Sequence, residues 1–184
     1  MLKQVKVWHL EMLSPPDQEM DLNRPYDLYC IKEPSPEINR FFYSLVGSDW
    51  CWYMRLAWTW REWMNFLDSE AVETWVAYRD GMPVGYFELQ RQEEGSVEIC
   101  YFGLVPASIG KGMGKLLLED AIQKAWLLGG KRVWLHTCTL DHPAALGNYQ
   151  SRGFQIFRTE EHQEEIPDYP LEPWPGAEKF DVTR

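Results

Sequence analysis

Residues 97–115 run V-E-I-C-Y-F-G-L-V-P-A-S-I-G-K-G-M-G-K. The β-branched and aromatic residues Val97, Ile99, Tyr101, Phe102 and Val105 predict a strand, which Pro106 closes. Gly110, Gly112 and Gly114 predict a turn, and at Lys115 the chain enters a helix. Met113, Leu117, Ala121, Ala125 and Leu128 form its one apolar stripe, and Gly129-Gly130 end it. A strand, a glycine-rich turn and a helix start make an anion site. Glycine admits a ligand close to the backbone, and the first N–H groups of a helix lack partners within it. The helix dipole adds about half a positive charge there. The natural ligand is a phosphate or a diphosphate.

The type of phosphate site can be narrowed. Lys115 is followed by Leu116, so G-x-x-x-x-G-K-[ST] is absent, and the glycines fall as G-x-G-x-G rather than as a dinucleotide turn. The order L-V-P-A-S-I-G-K-G-M-G-K instead resembles the acyl-CoA loop of the GNAT superfamily of N-acyltransferases. Leu104 and Pro106 match the start of that pattern, and Gly112 and Gly114 its end; Ile109 stands where the family has Gln or Arg. The resemblance implies coenzyme A, as acetyl-CoA, held chiefly by backbone amides. Gly103, Leu104, Val105, Ile109, Gly110, Lys111, Gly112, Met113, Gly114 and Lys115 are then the cofactor contacts.

The flanking segments fit that reading. T-W-V-A-Y-R (74–79) and Y-F-E-L-Q-R (86–91) are strands joined through Asp80-Gly81, a tight-turn pair. With the 97–105 strand they make three consecutive antiparallel strands. R-V-W-L-H-T-C-T-L (132–140) is the next strand, expected parallel to 97–105 because a helix crosses between them. A second family block, N-x-x-A-x-x-x-Y-x-x-x-G-F, is matched by Ala145, Tyr149, Gly153 and Phe154 within D-H-P-A-A-L-G-N-Y-Q-S-R-G-F, with His142 in place of the Asn. Pro143 and Gly153 bound an expected helix of about ten residues. Q-I-F-R-T-E-E (155–161) is the last strand, and the proline-rich tail from Ile166 is expected to be irregular.

Upstream, residues 4–12 and 26–32 alternate like strands, a helix is expected from Ser35-Pro36 to Gly47, and Thr59–Glu62 has capping-box spacing for a short helix to about Asp68. The expectation is one α/β (α+β) domain over 1–184. It has a mixed sheet of six to seven strands with flanking helices, in the order β-(β)-α-α-β-β-β-α-β-α-β. Residues 72–158 form the cofactor-binding and catalytic core, 1–71 the acceptor side and 159–184 a tail.

Composition bounds the partners. Twenty-eight acidic residues against eighteen basic give a net charge of −10, which disfavours nucleic acid. No apolar run approaches the ~20 residues of a membrane span, and the N-terminus lacks a signal-peptide core. Cys30, Cys51, Cys100 and Cys138 include no C-x-x-C pair, so reduced cytoplasmic thiols and no metal are expected. The acceptor is expected to be a small-molecule or peptide amine, and the protein a monomer or homodimer.

The chemistry suggests its own residues. An alkylammonium must lose a proton before its nitrogen attacks a thioester, and a carboxylate is the expected acceptor. Glu98 lies on the central strand, where period two places it on one face with Leu104; the resemblance also locates a base there. Glu88 on the neighbouring strand is the second candidate. By the resemblance, Tyr149 protonates the departing thiolate, and the central strand splays from its parallel neighbour near Gly103-Leu104 to free an N–H for the developing oxyanion. His142 is expected to be a structural or cofactor contact rather than a base. Trp50, Trp52, Arg55 and His136 are candidates for the acceptor pocket, with Arg55 as a carboxylate clamp. Core packing is the competing reading of the aromatic residues. A protein that binds coenzyme A as a sensor, without turnover, is the alternative function.

Overall fold

The computed structural model of the chain describes residues 1–16 and 23–168, so the expected proline-rich tail lies almost wholly outside the described residues. Seven strands form one sheet: β1 (Leu2–Met12), β2 (Asp27–Ile31), β3 (Val72–Arg79), β4 (Met82–Arg91), β5 (Ser96–Leu104), β6 (Arg132–Cys138) and β7 (Gln155–Glu165). The helices are α1 (Pro36–Gly47), α2 (Trp60–Leu67), α3 (Met113–Leu127) and α4 (Ala145–Gln150). The spatial order is β2-β3-β4-β5-β6-β1-β7.

Local sequence signals set most boundaries. The Ser35 hydroxyl accepts from the Ile38 amide and Pro36 opens α1, as its fixed φ favours. Thr59 and Glu62 close a reciprocal capping box at α2. Two expectations need correction. Helix α3 begins at Met113, two residues before Lys115, because Gly112 at φ +76° turns the chain directly into it. Helix α4 has six residues rather than about ten. The segment after Pro143 is a separate turn, in which His142 accepts from the Ala144 amide through Nδ1 and from the Ala145 amide through its carbonyl.

The two faces of the sheet differ. On one, α3 and α4 cover a core that includes Leu10, Leu89, Val97, Ile99, Leu117, Leu118, Val133 and Leu135. Each such side chain, once fully buried, contributes about 1.5–3 kcal/mol. On the other, α1 and α2 pack Phe42, Val46, Tyr43 and Trp63 against Val76, Tyr86 and Tyr101.

Two departures from a regular sheet create the working space. First, β5 and β6 pair in parallel only from Ser96–Glu98 to Arg132–Trp134 and separate beyond that point, earlier than the expected Gly103-Leu104. Second, the β4–β5 register slips where Leu89 pairs with Ile99 and Glu88 with Tyr101, leaving Cys100 as the extra residue of a bulge. The bulge breaks the alternation. Val97, Ile99, Phe102 and Leu104 all pack on the α3 face, and Glu98 falls on the opposite one. The expectation that Glu98 and Leu104 share a face is therefore wrong. The N-terminal strand β1 fills the space between β6 and β7, antiparallel to both.

Candidate active site

The separation of β5 from β6 opens a cavity of about 1070 Å³ that passes through the sheet. Its α3 side is lined by Leu104, Gly112, Gly114, Lys115 and Tyr149; the other side by Trp50, Trp52, Glu98, Trp134 and His136.

The α3 end is built to take an anion. Gly112 caps the helix in the left-handed region and makes no side-chain cap bond, so the first N–H groups of a 15-residue helix are left to a ligand. A Cβ built on Gly110 or Gly112 would meet nothing within 4 Å, so the space above the turn is open. Ile109 and Lys115 line this end too. A diphosphate fits these donors and this charge, which is the fit coenzyme A requires. Met113 faces the α3 core instead and is buried, Val105 is buried against α1, and neither it, Met113 nor Lys111 lines the cavity. Gly103 borders the cavity, packed where an added Cβ would strike Val46 at 2.4 Å. Because β5 has no strand partner beyond Glu98 on its β6 side, the backbone groups pointing that way from Ile99 to Leu104 face the cavity.

Tyr149 is buried between Phe102 and Phe154, each 6.2 Å away edge-on. Burial, with Asp141 nearby, pushes its phenol up, so it is protonated at neutral pH. Glu98 is held by an orienting chain: Gln92 donates to its Oε2 at 2.8 Å, and Trp134 donates to the Gln92 carbonyl at 2.9 Å. Its Oε1 faces His136 Nδ1 at 3.8 Å. Burial raises the Glu98 pKa, with Gln92 and Arg55 pulling part of the way back. A carboxylate moved up in this way is better matched to accept a proton near neutrality. His136 borders the cavity with 46% of its side chain exposed; desolvation and the neighbouring His9 hold its imidazole below its ordinary value, with Asp141 pulling the other way.

Two candidates are placed elsewhere. Glu88 has no exposed surface; Arg55 donates to its Oε2 at 2.6 Å and Asn39 to its Oε1 at 3.1 Å. It does not reach the cavity, so a role as base is corrected to a structural one. Arg55 is likewise corrected. Its guanidinium is enclosed by Phe66, Tyr101 and Trp58 at 4.1, 4.4 and 4.6 Å and bound to Glu88, which leaves nothing to clamp a substrate.

The aromatic segment roofs the cavity. Trp50 meets His142 edge-on at 5.0 Å, and the Tyr53 hydroxyl donates to Glu164 of β7 at 2.5 Å. Trp52 lines the wall and packs against Tyr101 at 4.8 Å, so core packing and pocket wall are both true of it. The sequence reading missed His9, Trp134, Glu160 and Glu164, all lining this cavity. Their local signal is ordinary strand alternation; what brings them here is the placing of β1 beside β6, which no local pattern encodes. Among the described residues no metal-binding cluster exists, and no helix is long and apolar enough to cross a membrane.

This arrangement is that of an acyltransferase fold. A family model for the acetyltransferase (GNAT) family matches residues 27–154, and the chain belongs to that family. No curated protein matches. Solved structures share the fold. A GNAT-family protein from Novosphingobium aromaticivorans is 14% identical with a TM-score of 0.59, over 86% of this chain and 63% of that one. A GCN5-related N-acetyltransferase from Sphaerobacter thermophilus is 18% identical with a TM-score of 0.59, over 88% and 52%. An acetyltransferase from Bacillus subtilis in complex with CoA is 24% identical with a TM-score of 0.50, over 71% and 76%. The chain thus spans only 52 to 63% of the first two proteins.

Proposed function

We propose that the protein transfers an acetyl group from acetyl-CoA to a primary amine of a small molecule, amino acid or peptide, by direct attack with both substrates bound. One observation carries this reading: the open glycine turn of α3 and the carboxylate Glu98 border a single cavity through the split between β5 and β6. When bound, acetyl-CoA supplies an acetyl thioester, whose carbonyl a neutral amine attacks. The amides at the start of α3, with Lys115, hold the diphosphate. Glu98 takes the ammonium proton, and the backbone groups of β5 that face the cavity stabilise charge on the carbonyl oxygen. Tyr149 returns a proton to the leaving sulfur. Its raised pKa makes it a weak acid, and a thiol near 8.5 leaves readily, so its share is modest. The roof formed by Trp50 and Tyr53 favours a small acceptor over a folded protein.

Thiol release from acetyl-CoA across a panel of diamines, amino acids and arylalkylamines tests the reading. We expect turnover with at least one amine, a fall of about 100-fold in kcat for Glu98→Gln, and about 10-fold or less for Tyr149→Phe. Binding of coenzyme A without turnover on any amine would make the protein a coenzyme A sensor instead.

A further inference from the structure

Acetylation of an ammonium releases one proton: two N–H bonds break, the N–C bond forms, the thioester C–S bond breaks and an S–H bond forms, so the products are amide, thiol and H⁺. Glu98 takes that proton, yet its side chain is only 14% exposed and an acceptor in the cavity would cover it. The proton has to leave before the next turnover. A line of titratable groups runs from Glu98 across three strands. His136 Nδ1 on β6 lies 3.8 Å from Glu98 Oε1. The His136 and His9 rings, paired across β6 and β1, are 5.9 Å apart between centroids. His9 Nε2 lies 3.2 Å from Glu160 Oε1 on β7, is shielded from solvent, and makes no directed hydrogen bond among the described residues. Glu160, 38% exposed, opens to solvent beside Arg158.

We propose that Glu98, His136, His9 and Glu160 form the exit path for the proton taken from the acceptor, so that the β1 strand serves the chemistry as well as the sheet. The proposal rests on the transferase reading above. An imidazole accepts a proton on one nitrogen and releases it from the other, which suits it to the two middle positions. A small rotation or one water bridges each gap beyond hydrogen-bond range. The charged and titratable groups around the path are Glu98 from β5, Asp141 from the loop after β6, Glu160, Arg158, His162 and Glu164 from β7, and Arg132 beyond Trp134, paired with Glu11 of β1. Among the described lining residues the one lysine or arginine is Lys115, at the α3 end, and the fixed cation that meets the line is Arg158, which pairs with Glu160 Oε1 at its solvent end. Because His136 is held below its ordinary pKa, it is neutral at pH 7 and free to receive the proton. His136, His9 and Glu160 act through Glu98 and are positioning and relay groups.

The test uses the full chain with acetyl-CoA and an amine that it acetylates, with kcat and KM followed against pH. His136→Gln should lower kcat about 10-fold or more with KM for acetyl-CoA unchanged, and added imidazole should restore much of the rate. His9→Gln and Glu160→Gln should each slow turnover about two- to five-fold at the acid end of the profile, where solvent accepts protons least readily. Glu160 lies at the rim, so its variant does not depend on a core side chain for folding. Unchanged profiles for His9→Gln and Glu160→Gln, or a slow His136→Gln that imidazole does not help, would overturn the path. No turnover by the unaltered protein on any amine would instead overturn the transferase reading, before any variant is made.

Discussion

Glu88 and Glu98 lie on neighbouring strands and on the same face of the sheet, yet their surroundings differ in kind. Around Glu88 the chain has closed. Arg55 and Asn39 occupy both oxygens, and aromatic rings seal the guanidinium. Around Glu98 the sheet has opened: one oxygen is held by neutral Gln92 and the other faces His136 across the cavity. A buried carboxylate paired with a fixed cation is tied to structure, because releasing it would strand a charge in the interior. One held by a neutral amide keeps its basicity available. The difference arises less from the strands than from what lies over them, the aromatic segment in one case and the β5–β6 gap in the other.

The largest expected effect would come from breaking the closed site. We predict that Arg55→Leu costs about 3–5 kcal/mol of stability, since it leaves Glu88 buried without its partner. A fall in the urea midpoint at unchanged m-value would show it. The double variant Arg55→Leu/Glu88→Gln should recover much of that loss; if it is no better than the single variant, aromatic packing rather than the ion pair holds the region. At the open site the same kind of change should act on rate. Glu98→Gln is expected to lower kcat about 100-fold while stability moves by less than about 1 kcal/mol. The pH dependence has a definite sign. Glu98 must be ionised to accept a proton, and burial raises its pKa, so kcat should climb with pH through a value above the ordinary glutamate range. A limb at or below that ordinary value would argue against Glu98 as the base.

The contrast also marks what could be read from the chain. The glycine turn, α3 and the strands around them were legible, because strand-to-turn-to-helix is a local pattern and Gly110 and Gly112 stand at positive φ where the backbone turns. The caps at Ser35 and Thr59 were legible for the same reason. The fate of the two glutamates was not. It depends on a one-residue bulge at Cys100, on the early parting of β5 and β6, and on Arg55 arriving from more than thirty residues upstream of Glu88. The insertion of β1 was equally hidden: its alternation fixes that it is a strand, but its neighbours are chosen by tertiary packing. His9 and Glu160 could therefore not be seen to approach the site.

A third substitution tests whether the turn at the α3 end is given over to ligand in the way that Glu88 is given over to structure. Gly112 sits at φ +76° with open space where a Cβ would go, so Gly112→Val meets no clash and acts through backbone strain and loss of access. We expect coenzyme A affinity by calorimetry to fall about 10-fold or more, which corresponds to about 1.4 kcal/mol. Gly112→Ala should lose less. Equal affinity in both variants and the unaltered chain would show that the helix start does not hold the diphosphate.

The smallest effect is expected at the roof, where the aromatic segment that closes over Glu88 also spans the open cavity. The Tyr53 phenol, pushed up to about 12 by burial and by its hydrogen bond to Glu164, stays protonated and donates throughout the neutral range. It is the tie between the aromatic segment and β7. Tyr53→Phe keeps the ring and removes the tie, so stability should fall by only about 1 kcal/mol. The acceptor side should respond selectively: KM for the amine is expected to rise about two- to three-fold, while KM for acetyl-CoA, whose proposed site is at the far end against α3, stays put. Equal shifts in both constants would mean that the roof steadies the whole cavity. No shift in either would mean that Trp50 on His142 closes it unaided.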